Sequence, residues 1–323
     1  MIKILIADDD PRAREAFSDL LKDSPDIEVI GCARNAREAV DFTLRLRPDL
    51  VMVDLALPAD GYRVIEEIMA GAPTPVLVLA AAVEAAEVDR AFNCIKRGAL
   101  DVMEKPAING LAAGEDFARR LIEKVKLLSS IRVIRRPRRK PCCRAAEEME
   151  PAGPPARVLA IGASTGGPKG VMSVLKTLPA DFQAAVFVVQ HIAEGFTDGF
   201  ASWLDAECAI PVRVAVDGAR YVPGEAVVAR GGSHMTVADG RIKLTHDAPV
   251  NCCRPSIDVF FNSLAQEHGG RVVGLLLSGM GKDGAQGLLN IKTHGGTTLV
   301  QDKVSCAVFG MPKAAIDLQA VNE

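Results

Sequence analysis

The sequence predicts an α/β protein of two doubly wound units: an N-terminal parallel (βα)5 sheet, then a second, mostly parallel sheet carrying one antiparallel hairpin. Three observations lead there. Five apolar runs of strand length alternate with amphipathic helical segments across the first 130 residues. The alternation restarts near Arg157, after a charged, proline-rich interval. The 323 residues suffice for about two domains, each with a substantial core. Boundaries are therefore expected at 1–130 and 157–323, with a linker over 131–156.

The first strand is predicted over residues 2–7, followed by a helix that Asp10 caps and Pro11 starts, with Ala13, Ala16, Phe17, Leu20 and Leu21 on its apolar face. Four more strand and helix pairs follow: 28–32 with 36–47, 50–53 with 62–69, 76–79 with 84–96, and 100–103 with 116–133. In an open parallel sheet the crevice lies at the carboxyl ends of the strands. Asp8, Asp9, Asp54 and Lys105 all fall at such ends.

Clustered carboxylates repel one another unless a hard cation neutralises them, and an all-oxygen set suits Mg2+. Taken singly, Asp8 to Asp10 also read as solvated caps and Lys105-Pro106 as a loop; the joint pattern favours a magnesium site. Ile6-Ala7-Asp8-Asp9-Asp10, Pro48-Asp49-Leu50-Val51-Met52-Val53-Asp54 and Glu104-Lys105-Pro106 occur in the order of a response regulator receiver domain, which residues 1–106 resemble. That resemblance implies a flavodoxin-like (βα)5 fold. It also implies that Asp54 accepts phosphate from a histidine kinase, that Asp8, Asp9 and Asp54 hold Mg2+, and that Lys105 contacts the phosphoryl group. Two positions depart from the pattern: Ala80 stands where receivers carry Ser or Thr, and Val102 where they carry an aromatic. The loop Pro58-Ala59-Asp60-Gly61 is one residue short of the common form. Phosphorylation chemistry is thus expected, with a weakened relay.

Arg132, Arg135, Arg136, Arg138, Arg139 and Lys140 precede Glu147, Glu148 and Glu150, and Pro151, Pro154 and Pro155 follow. Such a segment reads as a solvated, self-extending tether, the alternative being a basic patch that docks on an acidic surface.

The second unit opens with an apolar run that ends in Gly162-Ala163-Ser164-Thr165-Gly166. G-x-S-x-G on a strand-to-helix turn exposes a serine beside helix N-terminal amides. A glycine-rich turn can equally be no more than a tight turn, or cradle a dinucleotide. Against that reading, Ser164 replaces the middle glycine of G-x-G-x-x-G, and the next strand ends in Gln190-His191 where an acidic residue would be needed. Helices are predicted over 169–177, 198–207 and 256–266, strands over 184–189 and 272–277, and an edge hairpin over 235–237 and 241–244 around Ala238-Asp239-Gly240.

Ser164, His191 and Asp283 each close a strand. A serine hydroxyl needs a base to take its proton, and the imidazole needs a carboxylate to hold its tautomer. His191 can also be read as a core histidine and Asp283 as a helix cap; His234, His246, His268 and His294 compete as base, but none closes an apolar strand. Ile161-Gly-Ala-Ser164-Thr-Gly-Gly167-Pro168, Gln190-His191-Ile192, Arg254-Pro-Ser-Ile-Asp-Val259, Ser278-Gly-Met-Gly-Lys-Asp283-Gly284 and Ser305-Cys-Ala-Val-Phe-Gly-Met-Pro312 resemble the CheB family of chemotaxis protein-glutamate methylesterases, over residues 156–318. The resemblance implies Ser164 as nucleophile, His191 as general base, Asp283 as orienting acid, and the Met280 backbone amide in an oxyanion hole. It implies methylated chemoreceptors and a cognate kinase as partners, no cofactor for the esterase, and an unphosphorylated receiver lying across the catalytic face. Relatives usually continue past the Gly-Met-Pro helix into a further strand and helix, so the sheet edge is expected to be weak here. Cys252-Cys253 replaces a more polar, often His-containing pair before Arg254-Pro255, so the rim of the site is expected to differ.

Lys+Arg of 38 against Asp+Glu of 41 gives a net charge of -3, which argues against nucleic acid as a partner. The eight cysteines include two adjacent pairs and no C-x-x-C, and read as reduced thiols. Neither a signal peptide nor an 18-residue apolar run is present. A cytoplasmic monomer is expected. Two rival functions are a phosphate-accepting, receptor-binding module without catalysis and a serine esterase for small molecules. The intact triad argues against the first, and the receiver and linker against the second.

Overall fold

The computed structural model describes residues 1–57, 61–81, 85–106, 115–131, 133 and 158–322. The chain divides into two compact units, Met1–Cys143 and Arg144–Glu323. Nearly all of the expected linker, together with Arg157 and the Pro58 to Asp60 part of the short loop, lies outside the described residues.

In the first unit, strands β1 (Ile2–Ala7), β2 (Ile27–Ala33), β3 (Leu50–Asp54), β4 (Val76–Ala80) and β5 (Asp101–Glu104) alternate with helices α1 (Pro11–Lys22), α2 (Ala36–Leu46), α3 (Gly61–Gly71), α4 (Ala85–Arg97) and α5 (Glu115–Ser129). The sheet is parallel in the order β2-β1-β3-β4-β5. Its strand order reverses between β1 and β3, which sets the ends of those strands side by side. Every residue of β3 and β4 is buried, as befits central strands covered on both faces. Asp10 caps α1 by accepting from the Arg12 amide, and Ala13, Phe17 and Leu21 are its buried face. Ala16 and Leu20, expected on that face, are only half-buried on its shoulder. Helix α5 stops at Ser129, four residues before its expected end. There the Ser130 hydroxyl takes the carbonyl of Leu127, a local bond that competes with the helical ladder.

The second unit contains β6 (Val158–Ala163), α6 (Gly167–Leu175), β7 (Ala185–Gln190), α7 (Thr197–Asp205), β8 (Val212–Val214), β9 (Ala226–Val228), β10 (His234–Ala238), β11 (Arg241–Thr245), α8 (Ile257–His268), β12 (Val272–Leu276), α9 (Ala285–Thr293), β13 (Thr297–Val300) and α10 (Gly310–Asp317). Six of these strands form a parallel sheet in the order β13-β12-β6-β7-β9-β8. Strands β8, β9 and β13 extend it beyond the three that the periodicity marks. The hairpin corrects an expectation: β10 and β11 make a separate two-stranded sheet, not an edge of the main one. It is anchored to α8, with the Val237 and Gly240 amides donating to Ser263 and Glu267.

Phe187, Phe260, Phe261 and Met311 are fully buried where sheet and helices meet, Phe187 and Phe260 with ring centroids 5.1 Å apart. Each such side chain contributes about 1.5–3 kcal/mol by leaving water. The edge at β13 is not bare. After α10 the chain returns to it, and Asn322 exchanges hydrogen bonds with Thr298 through both backbone and side chain. Those bonds occupy edge groups that would otherwise be open to solvent.

Candidate active site

Ser164 stands on the turn between β6 and α6. The turn is close-fitted: a Cβ on Gly162 would lie 2.5 Å from Ile257 Cγ2. Gly166 has φ of 73° and would bring a Cβ within 2.4 Å of Ala307 Cβ, so it serves both conformation and space. The Ser164 amide donates to the Ser278 carbonyl at 3.0 Å, and the Ser164 carbonyl accepts from the Gly167 amide at 2.7 Å and from Gln190 Nε2 at 2.9 Å. Among the described residues Ser164 Oγ has no hydrogen-bond partner, and neither do the backbone amides of Thr165 and Met280. Thr165 follows the nucleophile position directly, where the turn places an oxyanion donor. Its amide was not singled out from the sequence, although G-x-S-x-G carries that signal.

His191 arrives by strand pairing. Ala163 and Gln190 are partners across β6 and β7, and the His191 amide donates to the Ala163 carbonyl at 2.9 Å. The residues just after the paired positions are Ser164 and His191. Gln190 Nε2 also donates to the His191 carbonyl, so one buried amide ties both turns together. On the other flank of β6, β12 leads into the loop that carries Asp283.

His191 Nε2 lies 2.9 Å from Asp283 Oδ2. Asp283 is 2% exposed and is held by Asn251 Nδ2, the Ser256 hydroxyl and the amides of Ile257 and Asp258. It does not cap α9, where Gly284 is the N-cap residue; it binds amides at the start of α8. Burial opposes its ionisation most strongly, yet the bonds from His191, Asn251 and Ile257 together outweigh burial and hold its carboxyl at about 2. Neighbouring Asp258 moves the other way, raised by burial and by the charge of Asp283.

The second imidazole nitrogen, Nδ1, faces Cys253 Sγ at 3.6 Å. This thiol is delivered by a tight turn in which Val250 and Cys253 exchange backbone hydrogen bonds. Its central residues, Asn251 and Cys252, have φ of 52° and 62°. Asparagine tolerates that region well and cysteine poorly. The turn sets Asn251 between Asp283 and Asp258 and Cys253 on His191. Burial, reinforced by Asp283, Cys252 and Asp258, pushes the Cys253 thiol up to about 12. The Cys252-Cys253 pair marked the rim of the site in the sequence, but nothing there showed that Cys253 would meet His191 or that Asn251 would hold Asp283. The competing histidines hold structural bonds: His234 to Ser256 and Ala248, His246 to Gly232, His268 to Tyr221 and His294 to Asn290.

In the first unit Lys105 Nζ bridges Asp8 and Asp54, at 2.7 and 2.6 Å. Carboxylate oxygens of Asp8, Asp9 and Asp54 lie within 4.8 Å of one another. Burial raises the Asp8 carboxyl, with Asp54 adding to it against the pull of Lys105. An all-oxygen group of this kind fits a hard dication such as Mg2+. Ala80 ends β4, where its carbonyl accepts from the Lys105 amide, and Val102 is half-buried on β5.

Residues 159–323 match the CheB methylesterase family model, and residues 4–112 match the response regulator receiver domain. The chain belongs to the CheB methylesterase family. A protein-glutamate methylesterase/protein-glutamine glutaminase of Syntrophus aciditrophicus is 41% identical, the alignment covering 100% of this chain and 94% of that protein. One from Anaeromyxobacter dehalogenans is 41% identical over 99% of this chain and 92% of its own length. The Thermotoga maritima CheB methylesterase catalytic domain superposes with a TM-score of 0.50 at 34% identity, covering 52% of this chain and 90% of that domain. In the second unit the G-x-S-x-G turn, His191 and Asp283 lie at one end of the sheet. No helix among the described residues is long and apolar enough to cross a membrane.

Proposed function

We infer that the chain hydrolyses glutamate methyl esters on chemoreceptors, releasing methanol, and deamidates certain receptor glutamines, under control of phosphorylation in its receiver unit. The observation that carries this is the 2.9 Å contact of His191 Nε2 with a buried, ionised Asp283, at the strand end next to Ser164.

Because the carboxylate only accepts, Nε2 carries the proton and Nδ1 keeps a free pair. With the ester bound, Nδ1 exchanges the Cys253 thiol for the Ser164 hydroxyl; such contacts are commonly loose without substrate and tighten in the complex. Ser164 Oγ attacks the ester carbonyl while His191 takes its proton. The unpaired amides of Thr165 and Met280 hold the oxyanion. Methanol leaves with the proton from His191, and water activated by His191 then frees the acyl-enzyme as glutamate. A glutamine follows the same course with ammonia leaving.

In the receiver unit Asp54 accepts a phosphoryl group from a cognate histidine kinase, and Lys105 pairs with it. Asp8, Asp9 and Asp54 would hold Mg2+, which supplies charge neutralisation for phosphoryl transfer. A cytoplasmic location follows from these partners. The decisive experiment is methanol release from a methylated receptor fragment, with and without a small phosphodonor and Mg2+. Release that depends on Ser164 supports the reading, and its absence under every condition overturns it.

A further inference from the structure

The contact between Cys253 and His191 is not required by ester hydrolysis, which uses the same imidazole nitrogen for Ser164. Its geometry suits something else. In a tetrahedral zinc site, metal distances of about 2.3 Å to sulfur and 2.0–2.1 Å to nitrogen leave the two ligand atoms about 3.6 Å apart. Cys253 Sγ and His191 Nδ1 are 3.6 Å apart. Asp283 already accepts from the other nitrogen, the carboxylate arrangement that fixes the tautomer and orientation of metal-binding histidines. Ligand atoms of His191, Cys253 and Asp283 all lie within 4.8 Å of one another.

We propose that Cys253 Sγ and His191 Nδ1 form a reversible binding site for a thiophilic divalent cation such as Zn2+, oriented by Asp283, and that its occupancy switches the esterase off. The ion displaces the thiol proton to solvent, so one proton is released for each ion bound and no oxidant or reductant is consumed. Asp283 and Asp258, both bonded to the Asn251 amide in the same turn, put carboxylate charge beside the pair, which favours a dication there. Both protein ligands are partly open to solvent, which gives an ion a way in. Bound there, it occupies the nitrogen that must take the proton of Ser164. Soft sulfur and nitrogen donors separate this site from the oxygen-only group at Asp8, Asp9 and Asp54. Metal binding stands on the geometry alone, whereas the inhibition rests on the esterase reading.

The test uses the full chain with excess Mg2+ to occupy the oxygen-lined group. Co2+ is titrated and the thiolate-to-cobalt absorption followed in the near ultraviolet, with proton release measured alongside. Turnover is measured with Zn2+ and with a chelator, each variant being compared with its own chelated rate. The unaltered chain should show the cobalt band and be inhibited by Zn2+. Cys253→Ala, Cys253→Ser and His191→Gln should lose the band, and both Cys253 variants should need at least about tenfold more Zn2+ for half inhibition. Cys252→Ala should keep the band. A band that persists in either Cys253 variant, or is absent from the unaltered chain, overturns the site. A Cys253-dependent band with equal Zn2+ sensitivity in all active chains overturns the inhibition. If no chain turns over under any condition while the band still depends on Cys253, the esterase reading fails and the metal site stands.

Discussion

Asn251 Nδ2 donates to Asp283 Oδ1 at 2.9 Å and, from the same amide, to Asp258 Oδ2 at 2.8 Å. A single neutral side chain thereby separates two buried carboxylates and fixes the one that orients His191. Asn251→Ala should lower kcat by about 10–100-fold with little change in KM, the range expected from losing a hydrogen bond to a charged group. Steady-state rates on a methylated receptor fragment check this. A change confined to KM would place Asn251 in substrate binding instead.

Ser164→Ala should remove nearly all turnover, a factor on the order of 10^6, and Asp283→Asn should cost about 10^4. The measurement is methanol release. Undiminished release from Ser164→Ala would assign the nucleophile elsewhere, with Cys253 the next residue to replace.

Gly166→Ala should destabilise the second unit by more than about 2 kcal/mol. The left-handed backbone alone costs about 1–2 kcal/mol, and the new methyl meets Ala307. Gly218, also left-handed but with open space around a Cβ, serves as the control and should lose only the backbone share. Urea unfolding of both variants reads the difference.

The carboxyls of Asp283 and Asp258 should act on acid stability with opposite signs. Asp283 is depressed to about 2, so its contribution is complete above its unfolded value of about 3.9 and is lost as pH falls towards 2. Asp258 is raised, so the protein gains stability on acidification through that raised value, down to about 3.9. Compared with the unaltered chain, Asp283→Asn should flatten the low-pH fall, and Asp258→Asn the rise above it. Unfolding midpoints from pH 7 downward check both.

In the receiver unit, Ala80 offers no hydroxyl to a phosphoryl oxygen and Val102 no ring to move between environments. The phosphoryl mimic beryllofluoride should therefore activate the full chain less than removing residues 1–130 does, since strong switching requires several kcal/mol of differential stabilisation. Ala80→Thr combined with Val102→Tyr should narrow the gap. A mimic that activates the unaltered chain as fully as the deletion would show another relay.

Apolar periodicity reports which residues are buried locally, and that was enough to mark the five strand and helix pairs of the first unit and three of the six strands of the second sheet, and to put Ser164, His191, Asp283, Asp8, Asp54 and Lys105 at strand ends. It could not reveal β8 and β9, because three residues are too few to carry a period. Nor could it detach the hairpin from the main sheet, since alternation in β10 and β11 tells that one face is covered but not by what. Which nitrogen of His191 meets Asp283, and that the other meets Cys253, was decided only by the tertiary structure. Those contacts join residues 92 and 62 positions apart, and their geometry depends on how separate loops close over one sheet end. Sequence determined which groups are present; the convergence of β6, β7, β12 and the Val250 to Cys253 turn determined which of them share a proton, because hydrogen bonds fall off within a few tenths of an ångström while sequence patterns specify position only to the nearest strand end.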